Sequence, residues 1–492
     1  MVAKLTNDAE CAIRDAVVLR EQGRTDEAAT LLERALQRYA DSDRLWQTLG
    51  TVHRARGDSA AAATAFAHAA RLAPHDPKPA HGVAQASLEA GRAAAALFER
   101  AQRLAPSDAT ILLGRAAALL AENRAAEAIA MLDAIVAANP VWLDGQRTLA
   151  QLRWMMGETS GFATGYARAL MADTRQPLLW GGLIDVLIHV EQWEQAERMV
   201  SEARAALGDR SAYALPAAIC AAELGSPTAE ALFSVLDWGN PAVLEHRARH
   251  LLRTGRADAA STLLGSALER PGAERLWPYA SLAWRLTGDP RAEWLEGDPA
   301  LISVVDLDMR DALPALAERL RGLHRAKRDP LGQSVRGGTQ TDGPLFAHEA
   351  AEIREFRRRV VEAVDAHLLQ LGKADAKHPT RRHLGRRWRF AGSWSVRLTG
   401  EGHHAPHVHP LGWMSSACYV ALPPTELMGA PPAGWLQLGA PPPSLNLPLK
   451  PLHQIEPRPG RLVLFPSTMW HGTVPIAAGE RLTIAFDVAA IG

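Results

Sequence analysis

Three histidines and one arginine stand at spacings that could assemble a metal-dependent site. The run Glu401-Gly-His-His-Ala-Pro-His407-Val-His409-Pro410 lies between two strand-like stretches, SWSVRL and ACYVALP. In an extended segment residues i and i+2 point to the same face, so His407 and His409 can converge on one metal ion. His403 and His404 are direct neighbours and cannot both do so in regular strand geometry. His471 follows 62 residues after His409, where the apolar run LVLFP ends in a turn. Arg481 stands ten residues beyond His471 and opens the strand-like RLTIAFD, with Thr483 on the same strand face. Imidazole nitrogens suit divalent transition metals, and three ligands on one face would leave the opposite positions free for chemistry. Glu401 is a nearby carboxylate, but its spacing does not fit the His-x-His pattern.

Elements on both sides must position these residues. Composition shifts near residue 300: Ala, Leu, Arg and Glu dominate before it, and short β-type runs separated by Gly and Pro follow residue 390. The first part reads as all-α and the last as all-β. Glycines recur at Gly23, Gly57, Gly91 and Gly157, with Asn123 in the gap, at steps of 34, 34, 32 and 34 residues. Gly225, Gly255 and Gly288 continue the series, with Gln192 near the missing place. Such a period, with Trp46-x-x-Leu49-Gly50 and then Ala62, Phe66 and Ala69 before Pro74, marks a helix-turn-helix solenoid.

The repeats resemble the tetratricopeptide family over roughly residues 9–295, in eight or nine copies. Stacked pairs of this type usually bind a peptide or another protein on their concave face. The order His-x-His, later His, then Arg ten residues on resembles the iron(II)/2-oxoglutarate-dependent oxygenases. More narrowly it is similar to bacterial relatives of the prolyl hydroxylases whose first motif reads HxHP. That resemblance covers about residues 331–492. It implies a double-stranded β-helix with Fe(II) held by His407, His409 and His471. It further implies that Arg481 and Thr483 grip the distal carboxylate of 2-oxoglutarate, with Tyr419 reaching the same group. Molecular oxygen would be the second co-substrate, and a C–H bond would be hydroxylated.

The common facial triad has a carboxylate where His409 stands, so two roles remain open for His409: third ligand, or contact to co-substrate or substrate. The expected architecture is multidomain: a solenoid over 1–295, a connecting helical segment over 296–330, and an oxygenase-like domain over 331–492. The glycine-rich LGQSVRGGTQTDGP reads as a loop, in which Ser334, Arg336 and Gln340 offer hydrogen-bonding groups; Arg336 and Gln340 are candidates to face substrate. Trp413 and Trp470 flank the metal motifs and are candidates to line a substrate pocket. A helix is expected from Phe346 to near Leu371. The run TRRHLGRRWRF reads as a solvated basic face, and Cys418 as a small core residue.

Whole-chain properties bound the function. The chain has 492 residues, with Lys+Arg and Asp+Glu at 54 each, so it lacks the basic surplus of a dedicated nucleic-acid binder. Three cysteines are too few for a disulfide framework. The N-terminal MVAKLTNDAECAIRD lacks the apolar core of a signal peptide, and no apolar run approaches the ~20 residues of a membrane span. The expected protein is soluble and cytoplasmic, a hydroxylase whose solenoid presents a protein or peptide. The alternatives are a non-catalytic adaptor with a degenerate barrel, a small-molecule hydroxylase, and a three-His dioxygenase without 2-oxoglutarate.

Overall fold

The computed structural model describes residues 2–208 and 211–491. Its N-terminal part is a stack of antiparallel helix pairs, beginning Val2–Glu21 with Thr25–Arg38, Asp43–Ala55 with Ser59–Leu72, and Pro77–Glu89 with Ala95–Leu104. Eight such pairs precede a closing helix, Trp277–Thr287, among the described residues. Capping explains the starts: Asp76 accepts from the Lys78 amide and Asn240 from the Ala242 amide, each with Pro at the next position. Gly50 and Gly82 face the Phe66 ring so closely that a Cβ would come within 2.8 and 2.6 Å of it. The turns take positive φ at every expected glycine and at Asn123; the missing place is filled by Glu191 (φ 59°) rather than Gln192.

The C-terminal part is a double-stranded β-helix. Its strands are β1 (Ser303–Asp306), β2 (Val335–Gln340), β3 (Trp388–His404), β4 (Met414–Ala421), β5 (Leu436–Leu438), β6 (His453–Ile455), β7 (Arg461–Pro466), β8 (His471–Thr473) and β9 (Glu480–Ala490). One sheet runs β1-β7-β4-β9-β3-β2 and the other β6-β5-β8, with antiparallel pairing throughout. Alternation along β9 sorts its side chains. Leu482, Ile484, Phe486 and Val488 join an apolar core under the helices Leu313–Arg321 and Ala351–Gln370. Arg481, Thr483, Ala485 and Asp487 therefore share the opposite face, toward the barrel interior.

Two segments differ from expectation. Residues 296–330, expected as connecting helix, supply β1 at the edge of the large sheet and pack Leu301, Met309 and Leu316 into its core. The stretch 331–344, expected as a loop, contains the edge strand β2, whose glycines permit a bulge between Arg336 and Gly338. The helix expected from Phe346 is a short 3-10 turn at Leu345–Ala347, then Ala351–Gln370.

The solenoid grips the barrel by its turns. A helix ends with backbone carbonyls that lack intrahelical partners. Five successive inner helices or their turns offer such carbonyls to the C-terminal domain, at 2.9–3.4 Å: Gly23 O to Arg387, Arg56 O to Arg357, Ala90 O to the Glu349 amide, Ala121 O to Arg325, and Met155 O to the Lys327 amide. Cationic donors at helix C-termini also complement the macrodipole. Gly91 (φ 80°) is needed there, since a Cβ would fall 1.9 Å from the His348 ring. The basic run is accordingly structural: Arg387 reaches Gly23, Arg382 pairs with Glu274 at 3.2 Å, and Arg381 binds the Leu371 carbonyl and Asp298. At the far end the last repeats join one apolar cluster with Val408, Leu445 and Trp470. No helix among the described residues is long and apolar enough to cross a membrane.

Candidate metal centre

Strand β3 ends at His404, and Ala405-Pro406 carries the chain into a segment that lies along β8. His407 and His471 exchange both backbone hydrogen bonds, at 2.9 and 3.0 Å, which brings their rings to 4.1 Å between centroids, tilted by 52°. The His409 amide donates to Ser467 O at 2.9 Å and brings its ring 5.0 Å from His407 and 5.2 Å from His471. One ring nitrogen from each residue lies within 4.8 Å of the others.

The tautomers follow from the partners. Nδ1 of His407 faces Ala405 O at 2.9 Å, and Nδ1 of His471 faces Met469 O at 3.0 Å. Nδ1 of His409 faces Asp487 Oδ2 at 2.6 Å. Each acceptor takes a proton from Nδ1, so in a neutral ring the lone pair is on Nε2; that of His407 meets the Ser334 hydroxyl. Burial, and the like charge of His409, push His407 down to about 3; burial also holds His471 well below the ordinary imidazole range. These two rings are neutral bases at neutral pH, the form a metal ion requires.

Of the neighbouring pair, His404 turns toward the triad, its ring stacked 5.9 Å from His407, while His403 points away and meets the Glu401 carbonyl. Glu401 is exposed, so it brings no carboxylate to the centre. The carboxylate that does reach it is Asp487, which the sequence reading passed over. Its signal was present in the alternation Arg481, Thr483, Ala485, Asp487 along one strand face. Ser334, just ahead of β2, places Oγ 3.2 Å from His407 Nε2 and 3.3 Å from His404 Nδ1.

Arg481 lies in the same barrel, fully buried at 1% exposure. Its Nη1 donates to Gly434 O at 3.1 Å, and its Nε has no partner. The Tyr419 ring stands 5.0 Å from its guanidinium carbon, and the Tyr419 hydroxyl is also unpartnered. No carboxylate among the described residues neutralises Arg481, and desolvation pulls its pKa down. Burying a cation without a partner is costly, so the position favours an anion that these residues do not themselves supply. Thr483 is in direct register with Tyr419 on β4, its hydroxyl 3.5 Å from Val396 O. Three imidazoles and an orphaned guanidinium in one barrel fit Fe(II) and a dicarboxylate.

The other candidates lie elsewhere. Arg336 binds Val335 O at 3.0 Å and reaches Glu191 of the solenoid at 3.8 Å, yet its charge is felt by His407. Gln340 lines a cavity of about 590 Å³ between solenoid and barrel, at the far end of β2. Trp413 is not in a substrate pocket: it sits in the core between sheet and helices, beside His383. Trp470 is turned into the domain interface, where Nε1 donates to Pro278 O at 3.0 Å and the ring packs edge-on against Tyr279. Cys418 is fully buried core, with its thiol pKa pushed up by burial.

Fold and site together define a repeat solenoid joined to a jelly-roll domain with a half-buried histidine triad. Residues 392–487 match the family described as "Putative 2OG-Fe(II) oxygenase", and residues 19–86 and 81–141 match two tetratricopeptide repeat families. The chain thus carries tetratricopeptide-type repeats over residues 19–141 and, over residues 392–487, a domain similar to that putative oxygenase family. No curated protein matches the sequence. Solved structures resemble its parts. Yeast Tom70 is 16% identical over 55% of this chain and 60% of its own, with a TM-score of 0.35. A Pseudomonas putida prolyl-4-hydroxylase is 18% identical over 39% of this chain and 94% of its own, with a TM-score of 0.28. A tetratricopeptide repeat protein from Parabacteroides merdae is 14% identical over 56% and 99%, with a TM-score of 0.31.

Proposed function

We propose that residues 331–492 form an Fe(II)- and 2-oxoglutarate-dependent hydroxylase whose substrate is a protein or peptide side chain held by the solenoid of residues 1–295. The observation that carries this reading is the pairing of three lone-pair imidazoles with a buried, carboxylate-free Arg481 in one barrel. A three-His dioxygenase without 2-oxoglutarate has no use for that guanidinium.

His407, His409 and His471 would hold the iron through Nε2. Arg481 would take the distal carboxylate of 2-oxoglutarate, with the free hydroxyl of Tyr419 and that of Thr483 as further donors. When bound, iron and 2-oxoglutarate supply the oxidation of a C–H bond by molecular oxygen, with release of succinate and carbon dioxide. Phe465 and Trp394, with rings 4.7 Å from His471 and 5.7 Å from His409, wall the site against water. On the solenoid's inner face, Gln47, Thr51, Lys78 and His81, with apolar Val17 and Phe66, line a cavity of about 410 Å³ that would accommodate part of a peptide. Tethering a target there raises its concentration at the iron.

The test is succinate release from full-length protein loaded anaerobically with Fe(II), then given 2-oxoglutarate and oxygen. Turnover that disappears in His471→Ala supports the assignment. Iron-free, 2-oxoglutarate-indifferent protein would leave the adaptor reading in its place.

A further inference from the structure

The three histidines are not equivalent, and the difference lies behind them. His407 and His471 each rest Nδ1 on a backbone carbonyl, a neutral acceptor. His409 alone rests on a carboxylate. We propose that Asp487 is the positioning residue of this centre: it fixes His409 as third ligand and returns, one hydrogen bond further out, the negative charge that a His-for-carboxylate exchange removes. This rests on the reading of the triad as a metal site.

Four features support it. The Nδ1–Oδ2 distance of 2.6 Å is that of a strong, charge-assisted hydrogen bond. The other oxygen, Oδ1, accepts from the Ser415 hydroxyl at 2.6 Å, and Ser467 Oγ lies 2.9 Å from Ser415 Oγ. The circuit closes through the backbone, because Ser467 O accepts the His409 amide at 2.9 Å. Asp487 and Ser415 are direct cross-strand partners of β9 and β4, so the carboxylate stands on a rigid sheet rather than a loop. Ser415 and Ser467 are buried at 2% and 0% exposure, which protects the circuit from competing water.

The chemistry follows. A carboxylate that accepts the Nδ1 proton fixes the tautomer, orients the ring and makes Nε2 a stronger donor. Ligand and carboxylate together approximate the charge of the common two-His-one-carboxylate set while keeping three imidazoles on the ion. On this proposal the role of His409 is ligation, and the His409→Ala band pattern below distinguishes it from a contact to an organic acid.

The experiment is Co(II) titration of full-length protein, followed by calorimetry and by ligand-field absorption. Asp487→Asn keeps the shape and removes the charge; affinity is expected to fall about 10- to 100-fold, with the absorption bands keeping their pattern. Ser415→Ala, a milder variant that serves if Asp487→Asn does not fold, should lose a few-fold. His409→Ala should change the band pattern itself. Wild-type affinity in both Asp487→Asn and Ser415→Ala would overturn the proposal, as would a band pattern altered by Asp487→Asn in the manner of a lost ligand. Wild-type protein that binds no Co(II) would instead overturn the metal-site reading beneath it.

Discussion

Arg92, at the third solenoid turn, and Glu349, just ahead of the helix Ala351–Gln370, form a two-pronged ion pair with Nη2–Oε2 at 2.6 Å and Nε–Oε1 at 3.0 Å. Both side chains remain about two-fifths exposed, at 44% and 36%. Water screens such a pair, so Arg92→Ala should cost no more than about 1 kcal/mol. Trp470→Ala at the opposite end of the interface should cost about 3–5 kcal/mol, because it empties a buried aromatic site and orphans Pro278 O. Urea unfolding of the two variants measures the contrast; equal losses would mean that the interface is held electrostatically.

Arg481 carries a stability cost that function explains. Arg481→Met is expected to raise the melting temperature of the ligand-free protein by removing a buried, unpaired cation. The same variant should abolish the upward shift in melting temperature that 2-oxoglutarate gives the metal-loaded wild type. Lower ligand-free stability in Arg481→Met would contradict the picture of an empty anion socket.

Tyr419 tests the socket more gently. Its unpartnered hydroxyl has a role only when a ligand is present. Tyr419→Phe should leave unfolding free energy within about 0.5 kcal/mol of wild type while weakening 2-oxoglutarate roughly 10- to 150-fold, the worth of one hydrogen bond to a charged group. Calorimetric titration with 2-oxoglutarate under anaerobic conditions gives both affinities.

Acid should unfold the protein earlier than its net charge would suggest. His324, His367 and His378, all away from the triad, are each pulled by burial from 6.5 to about 4. A histidine depressed in the folded state binds fewer protons than in the unfolded chain. Its contribution is therefore complete above pH 6.5 and is lost as pH falls toward 4. Urea midpoints measured from pH 7.5 to 4.5 should decline across that window; a flat profile would show that these rings titrate alike in the folded and unfolded chain.

Much of this was legible along the chain because the relevant physics is local. Turn glycines announce themselves every 34 residues, and His407 with His409 follows from strand alternation alone. Arg481 and Thr483 share a strand face for the same reason. What stayed hidden depends on contacts across long stretches of chain. Trp470 borders a metal motif in sequence but finds its acceptor 192 residues away, in the last repeat, so it fills an interface instead of a pocket. Ser334 looked like one polar group among many until the fold set it 73 residues away against His407. Glu191 occupies a left-handed turn position where a glycine would have been expected, and only the backbone reveals it. Asp487 is the instructive case, visible in principle by continuing one strand's alternation three steps past Arg481.

The carbonyls of Gly23, Arg56, Ala90, Ala121 and Met155 have a mechanical consequence. A free array of helical repeats behaves as a soft spring, since each repeat touches only its neighbours and small rotations add up along the stack. Here five successive coils are fastened to a stiff barrel, and the last ones are fastened again around Trp470. The spring is clamped along its length. The inner groove then has a width set in advance by the barrel, so a guest would have to fit it rather than be embraced by it, and the energy of closing the stack is already spent in folding.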